Sequence, residues 1–195
     1  MNYFKSIANS PDIYLSDAIF YEKILGSRRP GNYFWAITIL VGAIGFLSVG
    51  ISSYIGKDLL PFLSSEGIVF FPQGLVMSFY GILGIFVSIY QWLVIFWKVG
   101  EGFNEFDKNK GTMRLFRWGF PGKDREIDIV YPLIEIQSIK VDIKEGLNPS
   151  RVIYVTIKGK PDIPLTQVGS PMALSEIEDV AAKLASFLKV TIEGL

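Results

Sequence analysis

Residues Gly67–Trp97 read GIVFFPQGLVMSFYGILGIFVSIYQWLVIFW and contain no charged side chain; Glu66 closes the stretch on one side and Lys98 on the other. A bilayer core about 30 Å thick is crossed by roughly 20 apolar residues of helix, so this run is long enough to span. Pro72 fits at the first helical turn, where its missing N–H is not needed. The expected span is Gly74–Trp97. Trp92 and Trp97 at one end, and Phe70 and Phe71 at the other, suit the two interfaces. A core helix of a soluble protein would show a polar face, and this stretch has none.

A second charge-free run, Pro30–Gly56, precedes it, and its apolar part Tyr33–Tyr54 is the right length for another span. Ala36, Ala43 and Gly50 recur every seven residues on one face. In the other helix Gly74, Ser78, Gly81, Gly84 and Ser88 also share a face. Small residues let helices approach closely, so these stripes form either the hairpin's own interface or a surface for an outside helix. Arg28 and Arg29 abut the first span, and Lys98, Lys108, Lys110, Arg114 and Arg117 follow the second, whereas the connection Ile55–Glu66 holds only Lys57 as a base. The positive-inside rule puts both termini on the cytoplasm-like side. No Asp, Glu, Lys or Arg lies inside either span, which argues against an ion or proton pathway.

Half of the 195 residues are hydrophobic, and 19 basic residues balance 19 acidic ones, so no global field recruits nucleic acid. Cysteine and histidine are both absent. Disulfides, thiolate nucleophiles, Cys/His zinc sites and imidazole bases are thereby excluded. No spacing of Ser, Lys or carboxylates resembles a catalytic set, and neither an enzyme nor a cofactor is expected. Before the first span, Asp12, Asp17 and Glu22 interrupt any signal-peptide core. Tyr14–Leu25 reads equally as a short interfacial helix or an irregular terminus.

After Lys98 the pattern becomes that of strands: Phe103–Asp107, Thr112–Trp118, Arg125–Val130, Ile134–Lys144, Arg151–Lys158 and Ile163–Thr166. Turn chemistry separates them, as at Asn109-Lys110-Gly111 and Glu145–Pro149. A slip in the alternation between Ile136 and Ile139 suggests a bulge, and apolar residues on both faces of Arg151–Lys158 mark a central, buried strand. After Pro171 the period becomes helical. Ser175 with Glu178 reads as a capping box, and Ile177, Val180, Ala181, Leu184, Phe187 and Leu188 form one stripe. The fold class expected is membrane α + β: a two-helix transmembrane hairpin, then a small antiparallel, pleckstrin-homology-like β-barrel closed by a C-terminal helix at 175–189. The corresponding parts are an N-terminal segment 1–31, a hairpin 32–98 and a soluble β-rich domain 99–195.

Asp124, Glu126 and Asp128 alternate among Lys123 and Arg125, which reads as a solvated strand face rather than a metal site. Gly119–Lys123 lacks the spacing of a phosphate loop and reads as a hairpin turn. In Arg114–Pro121, cations interleave with aromatics, either as the core and rim of a hairpin or as a docking patch. By alternation Arg114 shares a face with Phe116 and Trp118, while Arg117 faces the other way. Glu176, Glu178 and Asp179 give the last helix an acidic start that suits its dipole and is available to a basic partner.

Gly26–Arg29, Gly45–Leu47, Ser52–Tyr54, Phe70–Gly74 (FFPQG), Phe79–Gly81, Phe116–Lys123 (FRWGFPGK), Ile143–Gly146, Ile163–Thr166 and Ile192–Leu195 together resemble, in order, one family. It is the photosystem I assembly protein family, the hypothetical chloroplast open reading frame four family, of plastid and cyanobacterial genomes. The resemblance runs from about Leu25 to the end. It implies a thylakoid protein with two spans, both termini stromal or cytoplasmic, and a non-catalytic scaffold role. Implied partners are photosystem I subunits, other assembly factors and thylakoid lipids, with homo-oligomers open. The docking residues expected on that basis are Arg114, Arg117, Trp118, Phe120, Lys123, Glu176 and Glu178. A lipid- or pigment-binding module is the alternative.

Overall fold

The computed structural model describes residues 5–7, 10–144, 150–166 and 173–194; the expected turn at Glu145–Pro149 lies outside them. The chain forms two compact units, residues 27–99 and residues 1–26 with 100–195.

The first unit is a helical hairpin. Helix α1 (Pro30–Ile55) starts with Pro at its first turn and stops at Gly56, whose φ of 74° lets its N–H bond the carbonyl of Ser52 at 2.8 Å. The Ser52 hydroxyl then accepts the Leu59 N–H at 3.0 Å, and Asp58 accepts the Ser65 N–H at 2.7 Å, which ties the connecting loop. Residues Phe70–Gly74 make one wide helical turn interrupted by an extended Phe71, and α2 (Leu75–Phe96) follows. The two helices pack on small residues. Ala36, Ala43, Gly50, Gly74, Gly81 and Ser88 are buried. A Cβ at Gly81 would lie 2.6 Å from the Leu47 nitrogen, and one at Gly84 would lie 2.8 Å from the Ala43 Cβ. At Gly50 and Gly74 it would strike the hydroxyls of Ser78 and Ser53. Ser88 donates to the carbonyl of Ala36 at 3.3 Å.

The second unit is β-rich. Strands β1 (Lys5–Ile7), β2 (Ser10–Leu15), β3 (Ile19–Ile24), β4 (Gly102–Asp107), β5 (Thr112–Trp118) and β6 (Glu126–Pro132) form an antiparallel six-stranded meander in that order. Tyr14–Leu25 is therefore neither a helix nor an irregular terminus: it takes in the end of β2, a turn at Ser16–Ala18 and the whole of β3. Its alternation serves β pairing because β3 finds β4 across the intervening hairpin, from Ile19 opposite Asp107 to Ile24 opposite Gly102. Strands β7 (Ile136–Lys144), β8 (Ser150–Ile157) and β9 (Ile163–Pro164) make a second sheet, with a register shift between Ile136 and Ser138 where a bulge was expected. β8 lies between β7 and β9, with Val152, Ile153, Val155 and Ile157 buried.

The barrel does not close. Pro132 cannot donate to a ladder, and a single turn at Leu133–Glu135 carries the chain into the other sheet, so β6 and β7 do not pair. Nor is the second sheet wholly antiparallel: β10 (Thr191–Glu193) runs parallel to β7. Helix α3 (Leu174–Leu188) packs on β7, β8 and β10 through Ile177, Val180, Ala181, Leu184, Ala185 and Phe187. The capping box is not formed. The Ala173 carbonyl already accepts the Glu176 and Ile177 N–H groups at 3.1 Å, so the helix begins before Ser175. One core joins Ile13, Phe20, Phe106, Met113 and Leu115 of the meander to the second sheet and α3.

Candidate functional site

Strand pleating divides the meander into an inner face, which lines that core, and an outer face. Met113, Leu115 and Arg117 of β5 point inward, and Arg114, Phe116 and Trp118 point outward, the two directions read from the sequence.

The outer face carries a ladder of rings. Tyr14 meets Tyr21 at 6.3 Å, Tyr21 stacks on Phe103 at 5.4 Å, and Phe103 stacks on Phe116 at 5.5 Å. Trp118 then meets Phe116 edge-on at 5.2 Å, and the Arg125 guanidinium lies 5.0 Å over the Trp118 ring. Cross-strand aromatic pairs of this kind stabilise a sheet and leave a flat, partly wet surface. Arg114 lies 5.6 Å over Phe103 and donates from Nε and Nη2 to Asp128 at 2.9 and 2.7 Å. This paired hydrogen bonding holds the Asp128 carboxyl below its ordinary range and raises the Arg114 value. Phe120 and Lys123 are exposed in the loop that joins β5 to β6, which is clamped by the Gly119 N–H on the Arg125 carbonyl at 2.6 Å.

Arg117 belongs to a different assembly. Its Nη1 donates to the carbonyls of Phe103 and Phe116 at 2.9 and 2.7 Å, and its Nη2 to Asn104 Oδ1 at 2.6 Å and the Leu165 carbonyl at 3.1 Å. Asn104, fully buried, donates in turn to Glu22 at 2.8 Å and to the same Leu165 carbonyl. Burial pulls the Arg117 value down and Glu22 pushes it back, but a guanidinium stays charged. This residue positions β4 and β5 against the Leu165 segment rather than offering a free cation. Glu178 is exposed and Glu176 half-buried at the start of α3, on the second sheet. The structure thus groups Arg114, Trp118, Phe120 and Lys123 on β5 and its loop, and leaves Glu176 and Glu178 on another element.

A family model described as Ycf4 matches residues 17–186. The chain belongs to the Ycf4 family. The match takes in β3, the hairpin, the whole ring-bearing face from Tyr21 onward and most of α3. The photosystem I assembly protein Ycf4 of Chlorokybus atmophyticus is 62% identical over 180 residues, covering 92% of this chain and 95% of that protein. The same-named protein of Mesostigma viride is 63% identical over 180 residues, with 92% and 96% covered. That of Physcomitrium patens is 56% identical over 180 residues, with 92% and 98% covered.

In this Ycf4 family member, sequence reading missed Glu22 and Asn104 as partners of Arg117, and Tyr21 and Phe103 as members of the ladder. Alternation in Phe103–Asp107 held a signal. Asn104 shares the face of Phe106, and a polar side chain on a core face needs a buried partner.

Proposed function

We propose that this chain is a non-catalytic assembly factor for photosystem I, a membrane-anchored scaffold on which newly made subunits meet. Membership of the Ycf4 family over most of the chain, with relatives named as photosystem I assembly proteins, carries this reading.

The hairpin supports the membrane part. Only 22% and 17% of its two most apolar windows are buried, far from what a soluble core helix would bury. Its small residues lie inside while Phe34, Phe46, Phe79 and Phe86 lie outside, the arrangement expected when lipid is the solvent. We take the small-residue stripes as the hairpin's own interface, the spans as thylakoid-embedded, and the charge bias as placing both termini on the stromal or cytoplasmic side. Confinement to the membrane plane raises the effective concentration of subunits around the scaffold.

The proposed docking surface is the outer face of β5 with its following loop. Trp118 and Phe120 supply apolar anchors, and Arg114 and Lys123 supply the polar rim. Arg117 holds this face in shape, and the acidic start of α3 is a separate contact for a basic segment. The test is a mild-detergent pulldown of tagged protein from thylakoids, read by mass spectrometry after a short isotope pulse. Newly synthesised photosystem I core subunits are expected with the native chain, and at least tenfold less with Trp118→Ala combined with Phe120→Ala. An eluate without those subunits, from membranes whose photosystem I level survives deletion of the protein, would refute the role.

A further inference from the structure

We propose that the hairpin binds the uncharged, hydroxyl-rich headgroup of a membrane lipid, in a site built on Gln91, Asn32, Trp35 and Tyr90. This rests on the membrane reading above. The site is a cavity of about 280 Å³ within the unit of residues 27–99, lined also by Val94 and Ile95.

Three observations define the ligand. First, Gln91 Oε1 is buried and no hydrogen-bond donor among the described residues reaches it. A buried amide oxygen without a donor is costly, so the missing partner must donate. Two polar neighbours are turned elsewhere: Asn32 Nδ2 donates to the Ser27 carbonyl at 2.9 Å, and the Ser27 hydroxyl to the Val94 carbonyl at 3.0 Å. Second, no charged residue lines the cavity. Arg28, next to the cavity, donates from Nε to the Ile95 carbonyl at 3.5 Å, so a phosphate or carboxylate would meet no cation in the wall itself, whereas neutral hydroxyls need none. Third, Trp35 and Tyr90 line it, 58% and 57% exposed, and their rings are of the kind that accept the C–H surface of a sugar-like ring.

The depth suits a headgroup. Trp35 lies five residues into α1 and Gln91 five residues before the end of α2 (35 − 30 and 96 − 91). At 1.5 Å per residue each is about 8 Å inside its helix end, where headgroup gives way to hydrocarbon. Acyl chains would continue along the exposed flank at Val87 and Phe86.

The experiment uses the full chain in phosphatidylcholine nanodiscs doped with a monoglycosyl diacylglycerol carrying a photoactivatable headgroup, or with an equally tagged phosphatidylglycerol. Crosslinks are mapped by mass spectrometry. The glycosyl probe is expected to label residues 32–35 and 90–95 at least fivefold more than the anionic probe. Gln91→Leu should lower that labelling about fivefold, the loss of one hydrogen bond. Trp35→Ala, at an exposed wall where folding is not at stake, should lower it too. Equal labelling by both probes, labelling spread along the helices, or no change in Gln91→Leu would overturn the site. Loss of labelling to free methyl glucoside at matched concentration would make the ligand a soluble polyol and overturn the lipid assignment. Alkaline extraction of the same protein from vesicles separates the two readings. Protein released to the supernatant refutes membrane insertion, whereas protein retained but unlabelled refutes only the headgroup site.

Discussion

The two units of this chain bury opposite kinds of residue. In the β-rich unit Phe20, Phe106, Met113 and Ile139 are fully buried, and charged side chains such as those of Arg114 and Lys123 face outward. In the hairpin Ala36, Gly81 and Ser88 are buried, and Phe46, Phe79, Tyr80 and Phe86 are more than half exposed. The first unit is what water selects, because burying large apolar surface is the driving force there. The second is what lipid would select under the membrane reading proposed above, because large side chains gain nothing by leaving hydrocarbon and close backbone packing decides association. The proposed reading is thus one of two solvents, told apart by what each part hides.

The sharpest way to break this comparison is to put one charge at two phenylalanines that are both more than half exposed. Phe86→Asp, at the middle of α2, is expected to cost about 3 kcal/mol of membrane insertion. Phe120→Asp, in the loop after β5, should stay within about 0.5 kcal/mol in stability. Glycosylation-reporter insertion assays read the first and chemical denaturation the second; equal costs would erase the distinction.

Within the β-rich unit, Arg117→Leu should cost about 2–3 kcal/mol, because it leaves Asn104 and the Leu165 carbonyl short of a donor and Glu22 without its neighbouring cation. Hydrogen exchange should quicken across β4 and β5 and leave α1 and α2 unchanged. Within the hairpin, Gly81→Leu should cost about 1–3 kcal/mol through collision with the Leu47 backbone. Gly42→Leu, on the same hairpin but with nothing within 4 Å of its Cβ, should cost about 0.5 kcal/mol or less. Protease resistance of the hairpin in detergent compares the pair.

The smallest effect belongs to the Arg114–Asp128 pair on the outer face. Asp128 is held below its ordinary value by the Arg114 hydrogen bonds, so its folded value lies below the unfolded one. The stability it contributes is present above the unfolded carboxylate value of about 4 and is lost as pH falls through the lower folded value. Asp128→Asn should therefore flatten the acid limb of the stability curve and change little near pH 7 in 1 M salt.

Local pattern carried much of this architecture. The charge-free runs mark α1 and α2, and the stripe from Ile177 to Leu188 marks α3. Alternation places β4, β5 and β8 within a residue or so, and it separates Arg114 from Arg117. Long-range pairing was not legible. β3 pairs with β4 across the whole hairpin, and β10 returns to lie beside β7, and neither choice leaves a local signal. Tyr14–Leu25 has apolar residues at both helical and strand spacing, so only its partner decides. The cavity at Gln91 was not legible for the same reason: a single glutamine near a helix end is explained equally by snorkelling or by an interhelical hydrogen bond, and only the folded hairpin shows the donors of Asn32 and Ser27 pointing elsewhere.

The absence of native cysteine permits the most direct test. Single cysteines placed at Ser64 in the hairpin loop, at Lys123 in the β-rich unit and at Phe86 in α2 would be labelled in sealed thylakoid vesicles of known orientation with a membrane-impermeant maleimide. The expected result is labelling of the Lys123 position from the stromal or cytoplasmic side, of the Ser64 position only after the vesicles are opened, and of the Phe86 position under neither condition. Prompt labelling of the Phe86 position in intact vesicles, or of the Ser64 and Lys123 positions from the same side, would contradict the inside-out hairpin on which the scaffold reading depends.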